Sequence, residues 1–323
     1  MKSIRKFLPL VLLLPSAVFA QDPEVRREAV QLLERANGVS LSPHLPNLER
    51  VDTFRVLEGG FGPHEGRFTR VVVQGAGRRD ETTFGDYHAL DIWSAGHLAT
   101  VRTSELPPAQ VSTVQELTPI HLLRFNDEDV IHSIVQKAAA GKNARCIEFD
   151  TIRGRKLQNN EICVDPANGT IVLVKVGDEL TENSEFFPFA GALMPGKIVY
   201  SSGGIRRLEI VQTMTELPEA TENVLAAPPD AQIRMLCKTF KRPIGVSMPQ
   251  PKAGTGGRDI DVAIRGIIGM DGRIHEAVVQ NAEFSDLGAE ALRLVQEWVF
   301  TPGMCDGTPN TNEATFIIHF HGR

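Results

Sequence analysis

Three hundred and twenty-three residues, 42% apolar and 23% charged, match about two ordinary globular domains. A formal charge of −6 excludes a protein held on nucleic acid or anionic lipid by a basic field. With 28 Gly and 20 Pro the chain is not collagen-like or of low complexity.

Lys2, Arg5 and Lys6 precede an apolar stretch, Phe7 to Val18, and Val18-Phe19-Ala20 supplies small residues at a cleavage site. This is the layout of a secretory signal peptide over residues 1–20. Phe7 to Ala20 is shorter than the roughly 20 residues that cross a bilayer. The expected product is a periplasmic chain starting near Gln21; the alternative is retention in the inner membrane. Without those three cations the balance is 31 basic against 40 acidic side chains, or −9.

Asp22-Pro23-Glu24 starts a helix, with a capping side chain, Pro in the first turn and an acid at the positive dipole end. Val25, Ala29, Leu32, Leu33 and Ala36 form its apolar stripe, and Asn37-Gly38 ends it. Strand-like runs follow at 53–57, 67–74, 91–93, 144–149, 161–165, 170–176, 197–201 and 205–214, separated by turns such as Asp165-Pro-Ala-Asn-Gly169. Phe125 to Gly141 interrupts them as a second expected helix, with Val130, Ile134, Val135 and Ala138 on one side. The fold class is therefore α+β, a curved antiparallel sheet with helices over residues 21–228.

Cys146, Cys163, Cys237 and Cys305 are even in number, and export permits disulfides. Spacing alone leaves three pairings open. A hairpin centred on Gly154-Arg155 places Cys146 opposite Cys163, and Cys237–Cys305 then follows by elimination. The same register sets Glu148 against Glu161, an unfavourable pair that argues for an offset loop. No C-x-x-C pair speaks for zinc.

Ala226-Ala-Pro-Pro-Asp230 marks a domain boundary, and Lys252 to Arg258 reads as a flexible lead into a closing module over 229–323. Ile260, Val262 and Ile264 alternate with polar residues, and Asp271-Gly272 is a two-residue hairpin turn into a return strand, 273–280. Ser285 caps a helix with Leu287, Ala291, Leu294, Val295 and Trp298 on one face. Thr315 to Phe320 is the last strand.

This module resembles the TonB C-terminal domain. The likeness rests on strand 260–270, Asp271-Gly272, Ala289-Glu-Ala291-Leu292, Trp298-Val-Phe300-Thr-Pro302, Gly307-Thr-Pro309 and Ile317-Ile-His-Phe320. It implies a small ββαβ fold and a protein-binding role in the cell envelope, in support of transmembrane transport. The implied partner is an outer-membrane transporter or similar protein, added as a strand beside Ala314, Thr315, Phe316, Ile317, Ile318, His319 and Phe320. The alternative for that edge is cover within a homodimer. Residues 21–228 look, by architecture, like the LolA-like half-barrel, which implies a lipid or other apolar ligand. Phe54, Phe68, Trp93, Phe149 and Tyr200 are candidates for lining such a cavity, or else for filling a core.

No H-E-x-x-H, G-x-S-x-G or P-loop occurs, so no enzyme and no cofactor is expected. His319 and His321 share a strand face without a third readable ligand, so no metal site is expected either. Asp86 and His88 read as solvated, as do Arg234, Lys238, Lys241 and Arg242. Asn168-Gly169-Thr170 reads as a turn.

Overall fold

β-Branched and aromatic runs separated by Gly, Asn and Asp build antiparallel strands almost throughout the chain. The computed structural model describes residues 22–40, 44–57, 64–117, 123–153, 156–218, 222–251, 259–280 and 285–322. The expected signal peptide, the 154–155 turn and the 252–258 lead lie outside the described residues. Among those described, no helix is long and apolar enough to cross a membrane.

Helix α1 (Pro23–Ser40) is followed by β1 (Leu48–Val56), β2 (Glu65–Val73), β3 (Gly77–Phe84), β4 (Tyr87–Ser94) and β5 (His97–Arg102). Next come α2 (Ala109–Glu116), β6 (Val130–Ala139), β7 (Lys142–Arg153), β8 (Lys156–Val164) and β9 (Ile171–Val176). After them run β10 (Glu179–Ser184), β11 (Phe187–Phe189), β12 (Ala192–Met194), β13 (Lys197–Ser202) and β14 (Ile205–Glu216). The chain continues with β15 (Gln232–Met235), β16 (Phe240–Lys241), β17 (Ile244–Ser247), β18 (Ile260–Ile268) and β19 (Ile274–Val279). It closes with α3 (Ser285–Gln296), β20 (Val299–Thr301), β21 (Gly303–Cys305), β22 (Thr308–Asn310) and β23 (Asn312–Phe320). The fold is α+β, as the sequence implies.

Backbone packing divides the chain into two units, Met1–Val39 with Leu122–Gly177, and Ser40–His121 with Asp178–Arg323. In the first unit, strands ordered β9-β8-β7-β6 meet α1. Ala29, Leu32, Leu33 and Ala36 pack on Ile131, Ile147, Phe149, Ile162 and Val164. Arg26 fixes the start of α1 by donating to the Asn126 and Asp129 carbonyls. The helix runs two residues past the expected stop at Asn37-Gly38, because the Asn37 side chain bonds Leu123 rather than ending the helix.

The second expected helix is a strand. Val130, Ile134 and Ala138 are four apart, which is one helical turn but also two strand repeats. Pairing with β7 decides between them, and Ala138 points to solvent. Ala140 and Gly141, with φ of 47° and 73°, then make the tight turn that joins β6 to β7.

Cys146 pairs with Cys163 and Arg153 with Lys156, the register of a hairpin centred on 154–155. Both expected disulfides form. The loop is not offset, because a third strand compensates the Glu148–Glu161 clash. Lys137 Nζ donates to Glu148 at 2.8 Å and to Glu161 at 3.0 Å. The hydrogen bond from Lys137, with a second from Ser133, holds the Glu148 carboxyl below the ordinary value of 4.5. Lys137→Gln should therefore destabilise the protein by about 0.5–1 kcal/mol at low salt and neutral pH, less at high salt. The deficit should vanish as pH falls through the folded Glu148 value, since a depressed carboxyl loses its contribution on protonation. Paired urea titrations at pH 7 and pH 3 check it, and a pH-independent deficit would contradict it.

In the second unit the strands run β15-β5-β4-β3-β2-β1-β14-β13-β10. On one face, Phe54, Phe68, Phe84, Tyr87, Ile198, Leu208 and Ile210 pack beneath Val111 and Val114 of α2. Strand β15 extends the sheet beside β5, so the chain after the Ala226–Asp230 segment is still paired to it.

Candidate functional site

The closing module is a sheet ordered β19-β18-β23 with α3 on one face. Its hairpin has a three-residue loop, not the expected two-residue Asp271-Gly272 turn. Gly269 N–H bonds the Arg273 carbonyl, and Gly272 N–H bonds the Gly269 carbonyl. Gly272 takes φ of 75° and so ends a turn that holds one extra residue, Met270. The Gly272 carbonyl in turn accepts the Phe300 N–H at 2.9 Å, which ties the hairpin to the segment after α3.

Strand β23 pairs along its whole length with β18, from Ile260↔Phe320 to Ile268↔Asn312. Among the described residues nothing pairs with its other side. Phe316, Ile318 and Phe320 are buried against Trp298, Phe300 and α3, so those three side chains serve the core. Thr315, Ile317 and His319 point outward, and Ile317 is 47% exposed. What the strand offers is a main-chain edge with that alternate row. Ala314 is half-buried beneath it.

His319 Nδ1 lies 2.6 Å from Asp261, its cross-strand neighbour, and His321 lies 3.6 Å from Asp259. Each imidazole thus faces its own carboxylate. The described residues hold one cluster with metal-ligand spacing, Cys146, Glu161 and Cys163, and its thiols are joined as a disulfide.

The module is fastened to the first-sheet loop after β5. Arg265, buried at 5% exposure, pairs with Glu313 and donates from Nη1 to the Pro107 carbonyl at 3.1 Å. Glu276 takes φ of 49° and accepts hydrogen bonds from Ser104 Oγ and Leu106 N–H. Arg234 of β15 bonds Thr311. A cavity of about 290 Å³ lies beside these contacts, lined by Arg102, Glu105, Gln232, Arg234, Asn312 and Glu313 among others. Disulfide Cys237–Cys305 joins the end of β15 to the β21–β22 hairpin, where Asp306-Gly307 makes the turn.

The five residues considered for a cavity lining are not brought together as one. Phe54 and Phe68 are core, with Tyr200 partly buried beside them, whereas Phe149 packs under α1. Trp93 is stacked by the Arg78 guanidinium at 3.8 Å. Asp86 and Arg242 are exposed, and His88 is a half-buried neighbour of Glu81.

A polar belt missed in the sequence crosses the face that α2 covers. Arg50 donates to Asp52 from Nε at 2.9 Å and lies 2.6 Å from it through Nη2; both side chains are fully buried. Arg70 grips Asp80 with two hydrogen bonds, as Arg102 grips Asp91, and Arg78 also lies on Asp80. Burial pushes the Asp52 carboxyl up, against the pull of Arg50. Gln212 lies opposite Asp52 on β14. The signal was available: Arg50 and Asp52 share the parity of Leu48 and Phe54, a charged pair on an apolar strand face.

Residues 252–321 match the family of the Gram-negative bacterial TonB protein C-terminal. No curated protein matches the chain. Among solved structures, the chain is similar to a putative outer membrane lipoprotein-sorting protein domain from Vibrio parahaemolyticus. That likeness has 10% identity, covers 61% of this chain and 95% of that one, and has a TM-score of 0.38. A LolA superfamily protein from Nitrosomonas europaea matches at 12% identity over 61% and 96% of the two chains, with a TM-score of 0.39. A chain of the Pseudomonas aeruginosa MucA/MucB complex matches at 11% identity over 76% and 81%, with a TM-score of 0.27.

Proposed function

We propose that this chain is a non-catalytic periplasmic binding protein whose TonB-like module takes an extended segment of an envelope partner beside β23, in support of transport. The observation that carries this reading is the open side of β23 within a module matching the TonB C-terminal family. Unpaired N–H and C=O groups along a sheet edge pair readily with an incoming strand, and Thr315, Ile317 and His319 supply contacts on alternate residues. An outer-membrane transporter or a similar envelope protein is the partner class.

The test is binding of immobilised protein to a library of extended nine-residue peptides. Ile317→Lys and Ile317→Glu place charge of either sign on the outward row, opposite Ala263 and without touching the core. Each should weaken the selected peptide about tenfold, the effect of removing roughly 1.4 kcal/mol of edge contact, with Tm unchanged. Peptides that bind both variants as well as the parent would contradict the reading.

A second reading, carriage of an apolar ligand, is favoured by one observation on the first sheet. Its α2-covered face is aromatic, yet ends in buried polar atoms that have no partner among the described residues.

A further inference from the structure

The polar belt contains donors and acceptors that no described residue uses. Arg50 Nη1 has no hydrogen-bond partner among the described residues, although the side chain is fully buried. Neither amide atom of Gln212, only 2% exposed, has one. Natural interiors rarely leave such groups unpaired, and each costs stability when they do. The belt also carries Arg50, Arg70, Arg78 and Arg102 against Asp52, Asp80 and Asp91, one cation more than its anions.

These groups lie at the border of the aromatic face. Gln212 is two residues from Ile210, and Asp52 is opposite Phe68 and two residues from Phe54. The cover of that face is slight. Helix α2 has eight residues, two of them buried, and no side-chain bond at its N-terminal cap. Short elements with few buried side chains open at low cost.

Resting on the apolar-ligand reading above, we propose that this face binds a single-chain amphiphile with a phosphate monoester head. The head sits on Arg50 and Gln212, and the chain lies over Phe54 and Phe68 as α2 is displaced. A phosphate monoester matches the orphan atoms in kind. Its anionic oxygens accept from Arg50 Nη1 and the Gln212 amide N–H, and its remaining hydroxyl donates to Gln212 Oε1.

The test is calorimetric titration of the purified, delipidated protein with dodecyl phosphate, dodecanol and inorganic phosphate at equal ionic strength. Dodecyl phosphate should bind at least tenfold more tightly than dodecanol, and inorganic phosphate more weakly than either. Gln212→Met removes two unpaired buried atoms and should not lower Tm. It should weaken dodecyl phosphate about fivefold and leave dodecanol unchanged. Equal binding of dodecanol and dodecyl phosphate would overturn the head site while leaving the carrier reading intact. Binding of neither would overturn both, and inorganic phosphate as tight as dodecyl phosphate would overturn the amphiphile.

Discussion

Replacing Cys237 and Cys305 together by alanine should cost about 4 kcal/mol of stability. The bond closes a loop with a sequence separation of 68, and constraint of the unfolded chain grows with loop length. The shorter loop of Cys146–Cys163, with a separation of 17, should contribute about 3 kcal/mol on the same basis. The larger effect also falls where native contacts are thin. Strand β16 has two residues, and Ile233, Met235 and Phe240 around the bond are exposed. Beside the bond, the backbone N–H groups of Lys238 and Thr239 donate to the Asp306 carboxylate, the Asp306 N–H donates to the Thr239 carbonyl, and β16 pairs with β21. Urea unfolding of the double variants, followed by tryptophan fluorescence, checks the ranking. A loss below about 1 kcal/mol for Cys237/Cys305 would mean that the bond constrains little beyond these contacts.

Gly272→Ala should be the most damaging single turn substitution in the C-terminal module, at about 3 kcal/mol or more, because this turn residue is buried. Two costs coincide there. The residue needs φ of 75°, which costs an L side chain about 1–2 kcal/mol. A Cβ would also stand 2.0 Å from the Phe300 carbonyl oxygen, so backbone rather than a flexible side chain must move. Moving it weakens the Phe300–Gly272 hydrogen bond and shifts Phe300, which is packed on Trp298 and Phe316. Gly307 is the control. Its φ of 87° is similarly positive, but nothing lies within 4 Å of its Cβ position. Gly307→Ala should therefore cost only the backbone term, about 1 kcal/mol. Equal losses at both positions would show that the Phe300 approach contributes nothing.

Much of this fold is legible because local pattern and tertiary demand agree. The alternation of Ile260, Val262 and Ile264, the α3 stripe and the Cys146/Cys163 register are each set by contacts their own sequence specifies. The expected 125–141 helix fails where a spacing of four fits both periods and only the β7 partner chooses. Strand β3, written Gly-Arg-Arg-Asp-Glu-Thr-Thr-Phe, is too polar to read as a strand. Its Asp80 finds Arg70 on β2 and its Arg78 finds Trp93 on β4, partners that no local window contains. Helix α2 escapes notice because eight residues with only Val111 and Val114 buried give too short a repeat. For the candidate site, the strand at Ala314–Phe320 is readable, and so is its two-faced alternation. Which side of it stays open depends on strand order, a property of the assembled sheet.

Amide hydrogen exchange along β23, measured with and without the selected peptide, tests strand addition most directly. Bound peptide should slow exchange within Ala314–Phe320 by tenfold or more and leave β19, the opposite edge of the same sheet, unchanged. Slowing confined to β19 or to the first sheet, with β23 unaltered, would contradict it.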